Sequence, residues 1–150
     1  MLAREVLLFS ACLCTAAFAA DPRDKECQDW TKQAIENPAV GCEGACSQAK
    51  TFDKYDYRSG LVGAQSSTGG LERFFRYAGK STIMGAGSDE MACHFHSLLV
   101  QWGDDAFAKT LVATGKKAKV RVVGLLDYAA VPDFKKRFPK TYALVSTHEE

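Results

Sequence analysis

The stretch SDEMACHFHSLLVQW, residues 88–102, carries the strongest helical pattern in the chain. Its large apolar residues recur at the spacing of one helix face, and such a stripe is buried in a globular protein. The stripe consists of Met91, Phe95, Leu98 and Trp102. Ser88 is a favourable N-cap and Gly103 is a typical helix end. Cys93 projects from nearly the opposite side; if it is bridged, this helix is covered on both sides and runs through the centre of the domain.

Shorter helical patterns surround this segment. They cover residues 27–36, 41–50, 71–78, a segment capped by Asp104, and 116–130, while the tail 132–146 reads as short turns of helix broken at Pro139. Helix starts and ends are marked by glycine, proline and capping side chains. Residues 55–70 are rich in glycine and serine, and we predict a long exposed loop there.

These patterns predict a mainly α fold: a small disulfide-stapled bundle of short helices, or stacked helical hairpins. The alternative is an α+β fold with a short strand at residues 117–123, where charged and apolar residues alternate. The length of the segment 116–130 and its Leu125-Leu126 continuation favour a helix.

An apolar run near the start of the chain predicts export. Residues 6–20 are almost entirely apolar, follow a single positive charge and end in the small-residue exit of residues 17–19, which is the three-part pattern of a signal peptide. We therefore expect a signal peptide over residues 1–20 and one exported globular domain over 21–150, in a periplasm or outside the cell, with no transmembrane span. The residues before Cys12 loosely resemble a bacterial lipobox, so lipidation of Cys12 is the alternative to simple cleavage.

Removing the signal peptide leaves four cysteines: Cys27, Cys42, Cys46 and Cys93. An even number in an exported chain indicates two disulfides, with three possible pairings. If Cys42 and Cys46 lie on one helical turn, their Cβ atoms are farther apart than a disulfide allows. We therefore expect one of them to pair with Cys27 and the other with Cys93.

The same residues offer two alternatives to a purely structural role. Cys42 and Cys46 with either His94 or Cys93 could bind zinc or copper, because thiolates and imidazoles are suitable ligands. His94 or His96 could also serve as the base of a small cell-wall or lipid hydrolase, although no catalytic set is assembled in the sequence. The oxidising compartment favours disulfides, and we predict neither a cofactor nor catalytic residues.

Basic and acidic residues are unevenly distributed, although the net charge is only +1. Residues 107–142 contain nine lysines and arginines against two aspartates, whereas residues 21–56 contain eight acidic and five basic residues. The basic part centres on two clusters, Lys116, Lys117, Lys119 and Arg121, and Lys135, Lys136, Arg137 and Lys140. Such a surface steers a negatively charged partner. The near-zero net charge and the predicted export argue against nucleic acid.

We expect a non-enzymatic domain that binds another protein with an acidic surface, such as an inhibitor of a secreted hydrolase or a toxin-immunity partner. The expectation rests on a stapled fold, one long loop and a one-sided basic surface. The predicted contact residues are Tyr55, Tyr57 and Arg58 in the loop, together with both basic clusters.

Overall fold

A computed structural model describes residues 21–144, and every regular element within them is helical. The helices are α1 (Pro22–Glu36), α2 (Pro38–Gly41), α3 (Glu43–Gln48), α4 (Tyr57–Ser66), α5 (Thr68–Ala78), α6 (Ala86–Val112), α7 (Lys116–Tyr128), α8 (Phe134–Arg137) and α9 (Pro139–Ala143), and a π-helical turn (Ala49–Asp53) continues α3. The predicted disulfide-stapled helical fold is confirmed. The alternative strand at residues 117–123 is wrong, because these residues belong to α7. The predicted signal peptide and Cys12 lie outside the described residues.

Helix α6 runs through the centre of the molecule, as its pattern predicts. All residues from 91 to 99 are buried, and the helix packs against α1, α3, α7 and α9. It begins at Ala86, two residues before the predicted start, and Gly85 is its N-cap. Gly103, predicted to end the helix, has the non-helical angles φ 75° and ψ 165°, and this kink separates residues 86–102 from a second helical stretch, 104–112, within α6. No helix among the described residues is long and apolar enough to cross a bilayer.

Helices α4 and α5 replace the long loop predicted over residues 55–70, and that prediction is wrong. The two helices cross so closely that a Cβ on Gly70 would lie 1.9 Å from the carbonyl oxygen of Gly63. Ser67 joins them as the N-cap of α5, since its hydroxyl accepts a hydrogen bond from the Gly70 N–H. The glycines of this segment therefore allow close helix packing instead of a mobile connection.

Two disulfides staple the bundle, but their pairing differs from the expected one. Cys27 joins Cys93, which fixes α1 to α6, and Cys42 joins Cys46, with a Cα–Cα distance of 5.3 Å. The expectation failed because Cys42 precedes α3 with φ −149° and ψ 31°. Its side chain is therefore not held one helical turn from Cys46, and the two Cα atoms come within normal disulfide range.

The C-terminal helices are held by side chains from α6. Asp104, predicted to cap its own helix, instead accepts hydrogen bonds from the N–H groups of Lys140 and Thr141 at 2.7 and 2.8 Å. It therefore caps α9 across the fold and satisfies donors that a helix start leaves free.

Candidate functional site

Two grooves lie on either side of Tyr55. The first, of about 680 Å³, has a polar lining of Lys50, Lys54, Asp56 and Arg58 and is flanked by Cys46, Tyr55 and Tyr57. The second, of about 440 Å³, shares Lys54, Tyr55 and Asp56 and adds Arg73 on its far side. We call both grooves together the Tyr55 surface. Tyr55 thus forms a ridge between two cavities edged by cations.

The Tyr55 ring is held in place by its neighbours. It stacks on Tyr77 with ring centroids 3.6 Å apart. At its hydroxyl end the ring lies against Gly60, where a Cβ would come within 2.1 Å of the Tyr55 hydroxyl oxygen, so a larger residue there would displace the ring. Burial, helped by the Asp56 carboxylate, raises the pKa of Tyr55, so the hydroxyl is protonated at neutral pH. The ridge is therefore a neutral, preorganised aromatic surface.

A hydrogen-bond network beneath the ridge fixes Tyr77. The Tyr77 hydroxyl donates to Asp53 at 2.7 Å, and the Thr82 hydroxyl donates to the same carboxylate at 2.6 Å. Partial burial opposes ionisation of Asp53, but the hydrogen bonds from Thr82 and Tyr77 prevail and lower its pKa. The carboxylate thereby ties the π-helical turn to the segment that leads into α6.

The charges of the Tyr55 surface are unbalanced. Within residues 21–144 none of its cations forms a salt bridge; they are Lys50, Lys54, Arg58 and Arg73. Arg58 Nε donates to the Ile35 carbonyl at 2.6 Å, which orients the guanidinium. The carboxylate in the lining, Asp56, caps α4 by accepting from the Ser59 N–H and hydroxyl, and these bonds lower its pKa. The surface is therefore positively charged at neutral pH.

Tyr57 forms the floor of the first groove and is only 1% exposed, so it is not the exposed contact that the sequence suggested. Its hydroxyl lies 2.9 Å from His94 Nδ1. Burial lowers the pKa of His94 to about 4, although the Gly41 backbone acts in the opposite direction. Burial also raises the pKa of Tyr57 well above its ordinary value. Both side chains are thus neutral at pH 7 and hold α4 against α6.

The second histidine belongs to a separate buried network. His96 Nε2 lies 2.7 Å from Asp24, whose carboxylate also accepts a bidentate pair of hydrogen bonds from Arg137. Burial lowers the pKa of His96, and the Asp24 charge offsets this only in part. Arg137 is therefore engaged in tying α8 to α1 and α6. Neither His94 nor His96 is exposed, so the geometry gives no support to a hydrolase that uses either as its base.

The other predicted basic residues do not line the Tyr55 surface. Exposed side chains are found at Lys116, Lys117, Lys135 and Lys136, and Lys119 is half-buried. Arg121 donates to the Ile83 carbonyl at 2.6 Å and to the Ser88 hydroxyl at 3.3 Å. The two clusters predicted from the sequence thus supply exposed lysines on α7 and α8, while their arginines serve the fold.

The alternative metal set of Cys42, Cys46 and His94 is not formed. Both thiols are consumed by a disulfide, and His94 pairs with Tyr57. Across the described part of the chain no group of three or more His, Cys, Asp or Glu residues is arranged to hold a metal ion.

Sequence reasoning identified Tyr55 and Arg58 but missed the other cations of this surface. Lys50, Lys54 and Arg58 recur every four residues, but Lys54 has a left-handed φ of 55° and residues 54–56 are not helical, so this spacing alone could not have placed them together. Arg73 reaches the second groove only because α5 folds back on α4. Comparisons with known protein families, curated proteins and solved structures find no match to this chain.

Proposed function

We propose that this protein is an exported, non-enzymatic binding domain that holds an acidic surface of a partner protein on the Tyr55 surface. One observation carries the proposal: four cations that form no salt bridge within residues 21–144 surround a stacked, half-buried tyrosine ridge between two grooves. Tyrosine and arginine are enriched at the energetic centres of protein interfaces.

Preorganisation favours binding at this surface. Because Tyr55 is stacked on Tyr77 and Arg58 is anchored to a backbone carbonyl, these side chains lose little freedom when a partner docks. The exposed ends of Lys50 and Arg73 add long-range attraction, which accelerates encounter with an acidic protein and weakens with salt.

The same proposal includes a compartment and a biological role for the protein. Two disulfides are typical of proteins in an oxidising compartment, and they support export. An inhibitor of a secreted hydrolase or a toxin-immunity partner would use a small, rigid, charged surface of this kind.

The test is capture of the partner from the exported fraction of the native cells, with wild-type protein and two double variants. Lys50→Glu/Arg73→Glu reverses one charge in each groove. Lys116→Glu/Lys135→Glu makes the same change in net charge on α7 and α8. All four side chains are exposed, so we expect both variants to keep the wild-type melting temperature.

We expect the groove variant to weaken the affinity for the captured protein at least tenfold, or about 1.4 kcal/mol, while the α7/α8 variant binds like wild type. The dissociation constant should also rise with ionic strength. Loss of binding in the α7/α8 variant alone, or the absence of any protein that distinguishes the two variants, would contradict the proposal.

A further inference from the structure

The two disulfides of this fold lie in opposite environments. Cys42 is fully buried, but Cys46 is only partly buried and opens into the first groove of the Tyr55 surface. In the other bridge Cys27 is fully buried and Cys93 is 6% exposed. Cys46 is therefore the most exposed of the four bridged cysteines among the described residues.

The charges beside the two bridges have opposite signs. The groove at Cys46 is lined by Lys50, Lys54 and Arg58 against the carboxylate of Asp56. A separate groove of about 260 Å³ at Cys93 is lined by Glu26, Asp89 and Glu90 against Arg23. Because thiol–disulfide exchange begins with attack by a thiolate, the first groove attracts the reagent and the second repels it.

The fold around Cys42–Cys46 does not depend on that bridge alone. Helix α3 is also held by Glu90, whose carboxylate accepts hydrogen bonds from the Gly44 and Ala45 N–H groups at 3.1 and 2.7 Å. The bridge spans a sequence separation of only 4, against 66 for Cys27–Cys93. A loop so short constrains the unfolded chain less than a long one, so we expect opening it to cost less stability than opening Cys27–Cys93.

We propose that Cys42–Cys46 is a thiol–disulfide exchange site for small thiols that carry a carboxylate. One thiolate attacks Cys46 Sγ, the bond to Cys42 breaks, and the electron pair leaves on Cys42, which takes a proton. A second thiolate then attacks the thiol-derived sulfur of the mixed disulfide and releases the Cys46 thiolate, which is protonated in turn. Two thiols become one disulfide, and the protein gains two electrons and two protons. The proposal goes beyond partner binding and does not depend on it.

The first measurement compares the two bridges within the same native protein. The full chain is treated with mercaptoacetate without denaturant, quenched with acid, unfolded and alkylated with N-ethylmaleimide. Trypsin places Cys42 and Cys46 together in residues 33–50, Cys27 in 26–32 and Cys93 in 81–109, so mass spectrometry reads each bridge separately. We expect alkylated cysteines to appear in peptide 33–50 at least ten times faster than in the other two peptides, while the helical circular dichroism signal stays unchanged.

The second measurement tests the role of the cations. The rate with anionic mercaptoacetate is divided by the rate with neutral 2-mercaptoethanol, so that changes in accessibility cancel. Lys50→Gln/Lys54→Asn removes two charges, and asparagine tolerates the left-handed φ of 55° at position 54. Lys116→Gln/Lys117→Gln is the matched control on exposed residues of α7.

We expect the groove variant to lower this ratio roughly three- to tenfold, and the control to leave it unchanged. Equal rates at the two bridges, or reduction only when the helical signal is lost, would overturn the exchange site. A ratio that does not change in the groove variant would overturn its preference for anionic thiols. Neither result depends on a protein partner, so failure here is distinct from failure of the proposed binding function.

Discussion

Acidification should destabilise this fold through His94, and the magnitude follows from its burial. The imidazole is fully buried against Tyr57, and its pKa is lowered to about 4 from an unfolded value of about 6.5. In the unfolded chain the His94 imidazole is therefore protonated below about pH 6.5, whereas in the folded chain it is protonated only below about pH 4. The stabilisation is complete above pH 6.5, falls by about 1.4 kcal/mol per pH unit below it, and levels off near pH 4 after a loss of about 3 kcal/mol.

The assay is urea unfolding between pH 7.5 and pH 4.0, with wild type and His94→Gln compared at each pH. Glutamine cannot be protonated here, and its amide can still pair with the Tyr57 hydroxyl. Other groups also lose stability in acid, because the pKa values of Asp24 and His96 are lowered too. Subtracting the free energy of unfolding of the variant at each pH removes the contribution of these groups. The remaining difference in unfolding free energy should change by about 3 kcal/mol across this range.

A flat difference would refute the reasoning. If the stability gap between wild type and His94→Gln varies by less than roughly 0.5 kcal/mol, which is about the scatter of extrapolated unfolding energies, then His94 is not excluded from protonation. The buried site around the His94 imidazole would then have to be accessible to water or to a proton. A direct NMR titration of the His94 ring should place its pKa near 4 by an independent route.

Two substitutions test the packing of the fold by urea unfolding. Gly70→Ala should cost about 3 kcal/mol, because its Cβ would lie 1.9 Å from the Gly63 carbonyl oxygen of the facing helix. Gly69→Ala, whose Cβ would lie 3.6 Å from an Arg73 guanidinium nitrogen, should cost less than about 1 kcal/mol. Equal costs would mean that the helices do not cross there. Arg137→Met should lower the free energy of unfolding by about 2 kcal/mol, because it leaves the buried Asp24 carboxylate with one fewer charged partner. Lys136→Met should be nearly neutral because that side chain is exposed. An equal effect at both positions would show that the ion pair between Arg137 and Asp24 contributes nothing to stability.

The central helix was predictable because its pattern is a physical consequence of burial. An apolar stripe extended by Leu99 and a cysteine on the opposite side predict burial on both sides, and residues 91–99 are all buried. The polar side chains His94 and His96 are accommodated there by pairing with Tyr57 and Asp24. The predicted loop failed for a different reason. Glycine serves either a left-handed backbone or a close contact, and sequence alone does not separate the two. Gly60, Gly63 and Gly70 all have negative φ and lie at close contacts.

The disulfide pairing depended on one residue. If Cys42 lay inside the helix, its Cβ would be too far from that of Cys46, and a bridge between them would be excluded as expected. With Cys42 one position outside α3, the same spacing brings the Cα atoms to 5.3 Å. Helix ends are uncertain by one or two residues even in known structures, so the pairing was beyond what a pattern of helices could decide.

The candidate site shows why counting charges along the chain misplaces a surface. The C-terminal part has the excess of basic residues, yet Arg121 and Arg137 are committed to a backbone carbonyl and a buried carboxylate. Lys50 and Arg73 belong to parts of the chain without that excess, and they remain without salt bridges among the described residues. An arginine already bonded inside the fold has little capacity left for a partner, whereas an unpaired lysine keeps all of its own. The exposed lysines of α7 and α8 also form no salt bridge within residues 21–144. What distinguishes the cations around Tyr55 and Cys46 is that they line two grooves beside a stacked tyrosine, where a partner can contact charge and aromatic surface together.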